Sequence, residues 1–275
     1  MALFIMKNNI PELLAPAGDL ERAKIALDFG ADAIYLGGKA YSLRARASNF
    51  DTLAIKKISE YAKKNGKKWY LVINVLCQNA MLDDFLSYLR KMKKYNPDGY
   101  IVSDPFIITQ IRKIDKKTQI HISTQQSVTN SKAALFFKRN ECQRVILARE
   151  VSFSELKLLM KNVEKKIDIE CFVHGAVCIA YSGRCMLSNN FCLRDANIGG
   201  CAQSCRWEMK LFDDNKVYSD KFSMSAKDMC LITKTKQLID VGVSSFKIEG
   251  RMKTEHYIAT VVNAYRKVID SYIKK

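Results

Sequence analysis

Cysteines in the second half of the chain have the spacing of side chains that hold a metal centre. Four of them follow the pattern C-x6-C-x15-C-x3-C, with Cys192 inside the pattern and Cys230 at a distance after it. Structural zinc sites normally contain two C-x2-C type pairs, which this sequence does not contain. Thiolates gathered from a long loop suit an iron–sulfur cluster better, while zinc and unligated thiols stay open as alternatives. The four cysteines of the pattern are Cys178, Cys185, Cys201 and Cys205.

Seven of the thirteen arginines fall on segments that follow predicted strands. A planar guanidinium binds a carboxylate or a phosphate through two parallel hydrogen bonds, so these arginines favour an anionic substrate. Ion pairs with Glu150, Asp195 and Glu249 are the alternative. Asn74 and Gln125, at the ends of strands three and five, could hydrogen-bond a base or a small acid, or be satisfied within their strands. The seven arginines are Arg44, Arg46, Arg149, Arg184, Arg194, Arg206 and Arg251.

Charged groups at three other strand ends are candidates for catalysis. His174 ends the seventh strand, where an imidazole can be a general acid or base, although a lone histidine is more often a satisfied rim residue. Arg149 with Glu150, and Glu249 with Arg251, follow strands six and eight. Both pairs suit a carboxylate or a phosphate, with internal ion pairs as the alternative.

The predicted elements place these residues on one rim. Short apolar runs alternate with amphipathic helical patterns, from the run at 12–15 to the run at 244–248, which makes eight strand–helix units. Eight such units predict an α/β chain folded as a (β/α)8 TIM-like barrel, whose reactive groups lie on the loops after the strands. We expect a single barrel domain over residues 1–275, with a long cysteine-rich insertion after strand seven at residues 176–230.

Composition limits the partners and the location. No apolar run among the 275 residues approaches the length of about 20 that spans a membrane. No signal peptide is recognisable, so we expect a soluble cytoplasmic protein with no membrane partner. The formal net charge of +17 favours an anionic partner such as nucleic acid, although a lysine-rich composition alone would also produce it.

Several stretches of the chain together resemble the collagenase-like peptidase family, the U-thirty-two peptidases. The longest lies within residues 170–188 and contains ECFVHGAVC followed by SGRCMLS. Shorter ones are PELLAPAG at 11–18, GADAIYLGG at 30–38 with RAR at 44–46, and KIEGRMK at 247–253. The resemblance covers essentially the whole chain. Longer members carry a C-terminal extension, which we expect to be missing here.

This resemblance implies an iron–sulfur protein that acts in oxygen-independent hydroxylation, rather than the protease of the family name. The implied ligands of a [4Fe-4S] cluster are Cys178, Cys185, Cys201 and Cys230, with Cys205 in reserve. The place of His174 in the signature favours a catalytic role for it. The expected catalytic residues are His174, Arg149, Glu150, Glu249 and Arg251. The expected substrate-binding residues are Arg44, Arg46, Asn74, Gln125, Arg184 and Arg194.

Relatives of this kind hydroxylate a tRNA wobble uridine, a ribosomal RNA cytidine or the ubiquinone ring. We expect the first reaction, which forms 5-hydroxyuridine, with tRNA as the partner and prephenate as the oxygen donor that the resemblance suggests. Hydroxylation of ribosomal RNA and the peptidase activity of the family name are the alternatives, although the sequence contains neither HExxH nor GxSxG. Whether a paralogous partner subunit takes part stays open.

Overall fold

In the computed structural model, which describes residues 10–43, 49–214, 216–219 and 221–273, eight parallel strands close into a barrel. The barrel strands are β1 (Glu12–Ala17), β2 (Ala33–Gly37), β3 (Lys68–Ile73), β4 (Gly99–Val102), β5 (Gln119–Ile122), β6 (Arg144–Ile146), β7 (Asp168–Gly175) and β11 (Ser245–Ile248). From β1 to β7, each strand pairs with the next strand in the chain. The ring closes because β11 pairs with both β7 and β1.

Helices follow the strands and cover the outside of the barrel. They are α1 (Leu20–Asp28), α2 (Thr52–Lys64), α3 (Leu82–Lys93), α4 (Pro105–Ile114), α5 (Ser131–Arg139), α6 (Phe153–Val163), α8 (Thr235–Val241) and α9 (Glu255–Ile273). Asp51 and Ser152 cap α2 and α6, each accepting a hydrogen bond from the backbone N–H three residues on, at 2.8 Å and 3.2 Å. Such caps satisfy donors that have no partner within the first helical turn.

Strand side chains alternate between two apolar cores. Leu13 and Ala15 pack in the larger core, which also contains the buried faces of the helices. Leu14, Tyr35 and Val72 belong to a smaller cluster of strand residues that fills the barrel interior. This alternation follows from the two-residue period of a strand, and it decides which side chains of each strand can reach the interior.

The amino-terminal part of the barrel interior contains a buried ion network. Glu170 is fully buried and accepts hydrogen bonds from Arg144 at 3.1 Å and from Lys247 at 2.9 Å. Arg144 also donates to Glu12 at 2.6 Å, and the hydroxyl of Tyr70 donates to Glu12 at 2.7 Å. Two carboxylates thus face two buried cations, and their charges balance within the fold.

Between β7 and α8 the chain forms a separate set of short elements. These are α7 (Leu187–Cys192), the antiparallel pair β8 (Leu211–Asp213) and β9 (Lys216–Ser219), and β10 (Met229–Cys230). The last of these pairs antiparallel with the end of β7. We refer to residues 176–230 as the insertion.

The predicted (β/α)8 barrel is confirmed. None of the helices in the described part of the chain combines the length and the apolar character that crossing a membrane requires. The insertion lies at the carboxyl end of β7, which is the end of a (β/α)8 barrel where functional groups gather.

Candidate functional site

A cavity of about 250 Å³ opens at the carboxyl ends of the barrel strands, and the insertion forms one side of it. We call it the mouth cavity. Four thiols line it from the insertion, and polar side chains line it from the strand ends. The cysteines are Cys178, Cys185, Cys201 and Cys205. The polar side chains at the strand ends include Asn74, Gln125, Arg149, Lys247, Glu249 and Arg251.

The segment between the first two of these cysteines is fixed to the barrel rim. The carboxylate of Glu150 accepts hydrogen bonds from the backbone N–H and, at 3.1 Å, from the hydroxyl of Ser182. Gly183 has φ +70°, and a Cβ at this position would lie 2.0 Å from the carbonyl oxygen of Gln125. Because only glycine fits this conformation and this space, the backbone packs directly against the loop after β5.

Arg206 holds the two ends of the insertion together. Its guanidinium donates to the hydroxyl of Ser225 and to the carbonyl of Ala226, both at 2.6 Å. It also donates to the carbonyl of Val177 at 2.7 Å. Three hydrogen bonds to fixed groups place Arg206, and with it the adjacent Cys205, beside the start of the insertion.

Cys205 lies close enough to the other three thiols for their charges to act on it. Burial raises the pKa of Cys205, and Cys178, Cys201 and Cys185 raise it further, while Arg206 acts in the opposite direction. Four thiol groups that face one cavity are a ligand set that suits an iron–sulfur cluster. Within the described ranges, no three His, Cys, Asp or Glu side chains are close enough together to hold a single metal ion.

Lys247 lies at the floor of the mouth cavity although its side chain is almost wholly buried. Its ammonium donates to Glu170 at 2.9 Å and lies 4.4 Å from the centre of the Tyr35 ring. Burial lowers the pKa of Lys247, and Glu170 acts against that shift. An ammonium has three N–H donors, and Glu170 is its one hydrogen-bond acceptor among the described residues. Lys247 can therefore donate to an anion in the cavity.

Two arginines extend this cationic floor towards the rim. The guanidinium of Arg149 lies 4.2 Å from the centre of the Phe172 ring. Arg251 is 95% buried and donates to the hydroxyl of Ser42 at 3.0 Å. Both were predicted from the sequence, and the structure brings them to one cavity. Stacked or anchored guanidiniums are well placed to bind a carboxylate or a phosphate.

Other predicted site residues lie elsewhere. Glu150 anchors the insertion, as described above, and does not line the mouth cavity. Arg184 is exposed, Arg194 lies after α7, and neither lines the cavity. Arg44 and Arg46 lie outside the described residues. The substrate-binding roles of these four arginines stay predictions.

His174 and Cys230 lie beside α9 rather than in the mouth cavity. The pairing of β7 with β11 shifts register at a bulge, so His174 lies opposite Ile248, a residue of the outer core. Its ring packs against those of Tyr257 and Tyr265, at 5.9 Å and 5.7 Å between centres. Cys230 pairs with His174 across β10 and β7. A bulge redirects the side chains beyond it, and the roles predicted for these two residues stay predictions.

The sequence analysis missed Lys247 and the rings around it. Tyr35 and Phe172 line the mouth cavity and flank the ammonium, at 4.4 Å and 5.6 Å from their ring centres. A lysine inside an otherwise apolar strand was the available signal, because such a charge requires a buried partner. Glu170, equally isolated in the apolar run of β7, is that partner.

Comparison with known proteins matches nearly all of the chain to one family. The sequence model of peptidase family U32 matches residues 18–275. A Bacillus subtilis protein named tRNA hydroxylation protein P1 is 47% identical over 270 residues, which cover 95% of this chain and 64% of the relative. This chain therefore spans somewhat less than two thirds of that relative's length.

Two further matches show how varied the relatives are. An Escherichia coli protein named as a 23S rRNA 5-hydroxycytidine synthase is 34% identical over 96% of this chain and 40% of its own length. A solved structure of a U32 peptidase has a TM-score of 0.59 at 11% identity, covering 91% of this chain and 97% of that one. At this identity the structural likeness concerns the barrel fold alone.

Proposed function

The chain belongs to peptidase family U32, and on that premise we propose that it acts as an enzyme in oxygen-independent hydroxylation of tRNA. The proposed product is 5-hydroxyuridine at the wobble position. The name of the Bacillus subtilis relative supports tRNA as the substrate. The observation that carries the proposal is the mouth cavity, where four thiols stand opposite a cationic floor.

In this proposal Cys178, Cys185, Cys201 and Cys205 hold a [4Fe-4S] cluster, because these four line one cavity. Such a cluster supplies one-electron redox chemistry when bound, and each of its irons takes one cysteine thiolate. Cys205 replaces Cys230 in the set that the family resemblance implied. Arg206 positions Cys205 through its three hydrogen bonds to the ends of the insertion.

The cationic floor binds the oxygen donor, which we propose to be a small dicarboxylate such as prephenate. Lys247, Arg149 and Arg251 supply the positive charge, and the rings of Tyr35 and Phe172 exclude water around the ammonium. Low local polarity strengthens each charge-assisted hydrogen bond to the acid. Overall, one oxygen atom passes from the donor to the C5–H bond of uridine, and the donor is reduced by two electrons.

The tRNA would approach from outside the mouth. A net charge of +17 favours binding to a phosphate backbone, and that binding should weaken steeply as salt increases. The unpaired anticodon loop can present a splayed base, which is the form in which single-stranded RNA is usually read.

Mass spectrometry of nucleosides tests this function in a strain that lacks the gene. We expect nucleosides derived from 5-hydroxyuridine to disappear from tRNA and to return with the wild-type gene. The Cys185→Ala variant should not restore them. Cys192→Ala is the matched control, because Cys192 belongs to the insertion but does not line the mouth cavity.

Two outcomes of this experiment would redirect the proposal. Unchanged tRNA together with a loss of 5-hydroxycytidine from ribosomal RNA would favour the activity named for the Escherichia coli relative. Unchanged RNA together with gelatin cleavage that survives removal of iron would favour the peptidase of the family name.

A further inference from the structure

A second cavity, of about 450 Å³, lies outside the barrel between its wall and two helices. We call it the outer cavity. The residues after β6 and the middle of β7 form its floor, and α6 and α8 form its sides. Its volume falls within the range of about 300–1,000 Å³ that is usual for small-molecule sites. Nothing in the proposed hydroxylation uses it.

The wall of the outer cavity is apolar. Its side chains include Leu147, Leu156 and Leu238, each almost fully buried, together with Phe153. The thiol of Cys171 also lines it, and burial raises the pKa of that thiol to about 12, so it is neutral at physiological pH. A lining of this kind gains free energy when an apolar group displaces its water.

The polar side chains that line this cavity are Lys234, Gln237 and Arg149. Lys234 and Gln237 line it and are exposed to solvent. Among the described residues Lys234 has no carboxylate within ion-pairing distance, so its charge is available to a ligand. Arg149 lines both the outer cavity and the mouth cavity. The cavity thus combines buried apolar side chains with the exposed positive charge of Lys234.

We propose that the outer cavity binds a small amphipathic acid, whose apolar body lies against the leucines and whose carboxylate faces Lys234. A medium-chain fatty acid has this chemistry. The proposal does not depend on the hydroxylation reaction, because it rests mainly on Lys234 and the leucines, which do not line the mouth cavity. A ligand in the outer cavity would act on the mouth cavity through Arg149 and Phe172, which line both cavities.

Isothermal titration calorimetry with decanoate tests the proposal on the purified chain. We expect saturable binding with one site per chain. Lys234→Glu should weaken it about fivefold or more, since an opposing charge replaces a favourable one. Leu238→Phe, which fills the cavity, should abolish it. Lys161→Glu is the control, because it makes the same charge change at an exposed position of α6 that does not line the cavity.

Each possible result of this titration either supports or overturns the proposed binding of an amphipathic acid. Absence of saturable binding to the wild-type chain overturns the proposal. So does equal binding by the wild type, Lys234→Glu and Lys161→Glu, which would indicate adsorption to exposed apolar side chains of the insertion such as Leu193. If Leu238→Phe fails to fold, the comparison of the two lysine variants still decides. None of these readouts requires hydroxylation activity, so failure of the proposed function would leave the test intact.

Discussion

The two ends of the barrel interior differ in whether their buried charges are balanced by partners of opposite sign. At the amino-terminal end, Glu12 and Glu170 face Arg144 and Lys247 at hydrogen-bonding distance, and the charges cancel. At the mouth, the described lining has four cationic side chains and a single carboxylate, Glu249. The cations there are Arg149, Arg206 and Arg251, together with Lys247, whose charge Glu170 already balances.

This difference separates a structural use of buried charge from a functional one. A buried charge whose partner is supplied by the fold stabilises one arrangement of the chain and leaves little for a ligand. An excess of one sign in a cavity attracts a ligand of the other sign. Lys247 belongs to both ends, because Glu170 holds it from below while the mouth cavity lies above it.

The largest effect is expected at the thiols that face this cationic floor. If the mouth holds an iron–sulfur cluster, Cys205→Ser should lose most of the iron and the visible absorbance of anaerobically purified protein. Cys230→Ser should keep both, because Cys230 lies on β10 outside the mouth cavity. Iron analysis and a visible spectrum check this. The reverse result would restore the ligand set that the family resemblance implied.

The second largest effect concerns the buried ion network at the amino-terminal end of the barrel interior. Glu170→Gln leaves Arg144 and Lys247 buried without their shared carboxylate, and breaking a buried ion pair costs about 3–5 kcal/mol. Urea unfolding should reveal a loss of this size. Glu60→Gln, on the exposed face of α2, is the control and should change stability little. A loss below about 1 kcal/mol would mean that water already reaches this end of the barrel.

The fold was predictable from the sequence, whereas the composition of the site was predictable only in part. Strand and helix periods are local, and they led to the barrel and to a rim that contains Arg149 and Arg251. The orientation of His174 depends on a bulge against β11, and strand periodicity carries no signal for one extra residue. The position of Cys230 depends on a two-residue strand, which is too short to have a pattern.

Lys247 was missed for a different reason. The apolar run around it predicts a strand and does not say which face its lysine takes. That choice depends on Glu170, which is 77 residues away in sequence. A charge in the middle of a buried strand is therefore informative only when it is matched with a second such charge.

The third largest effect concerns Lys247, which pairs with Glu170 and also lines the mouth cavity. If the mouth cavity binds a donor acid as proposed, the Michaelis constant for that acid should rise about tenfold or more in Lys247→Met, since a hydrogen bond to a charged group contributes about 1.5–3 kcal/mol. Affinity for tRNA should stay unchanged. Lys253→Met, which removes an exposed rim charge paired with Asp228, is the control. Loss of kcat alone, with unaltered donor binding, would place Lys247 in the structural network only.

The smallest effect is the pH dependence of the stability that Glu12 contributes to the buried ion network. Burial raises the pKa of Glu12, but Arg144, Tyr70 and Lys68 outweigh it, so the net pKa lies below the ordinary value of 4.5. A carboxyl with a lowered pKa contributes stability above the unfolded value and loses it as the pH falls through the folded one. Glu12→Gln should cost about 1–3 kcal/mol at pH 7, and its deficit against the wild type should shrink below pH 4.5. Urea unfolding at several pH values measures this. A deficit that stays constant down to pH 3 would mean that packing around residue 12, rather than its charge, stabilises the amino-terminal end of the barrel interior.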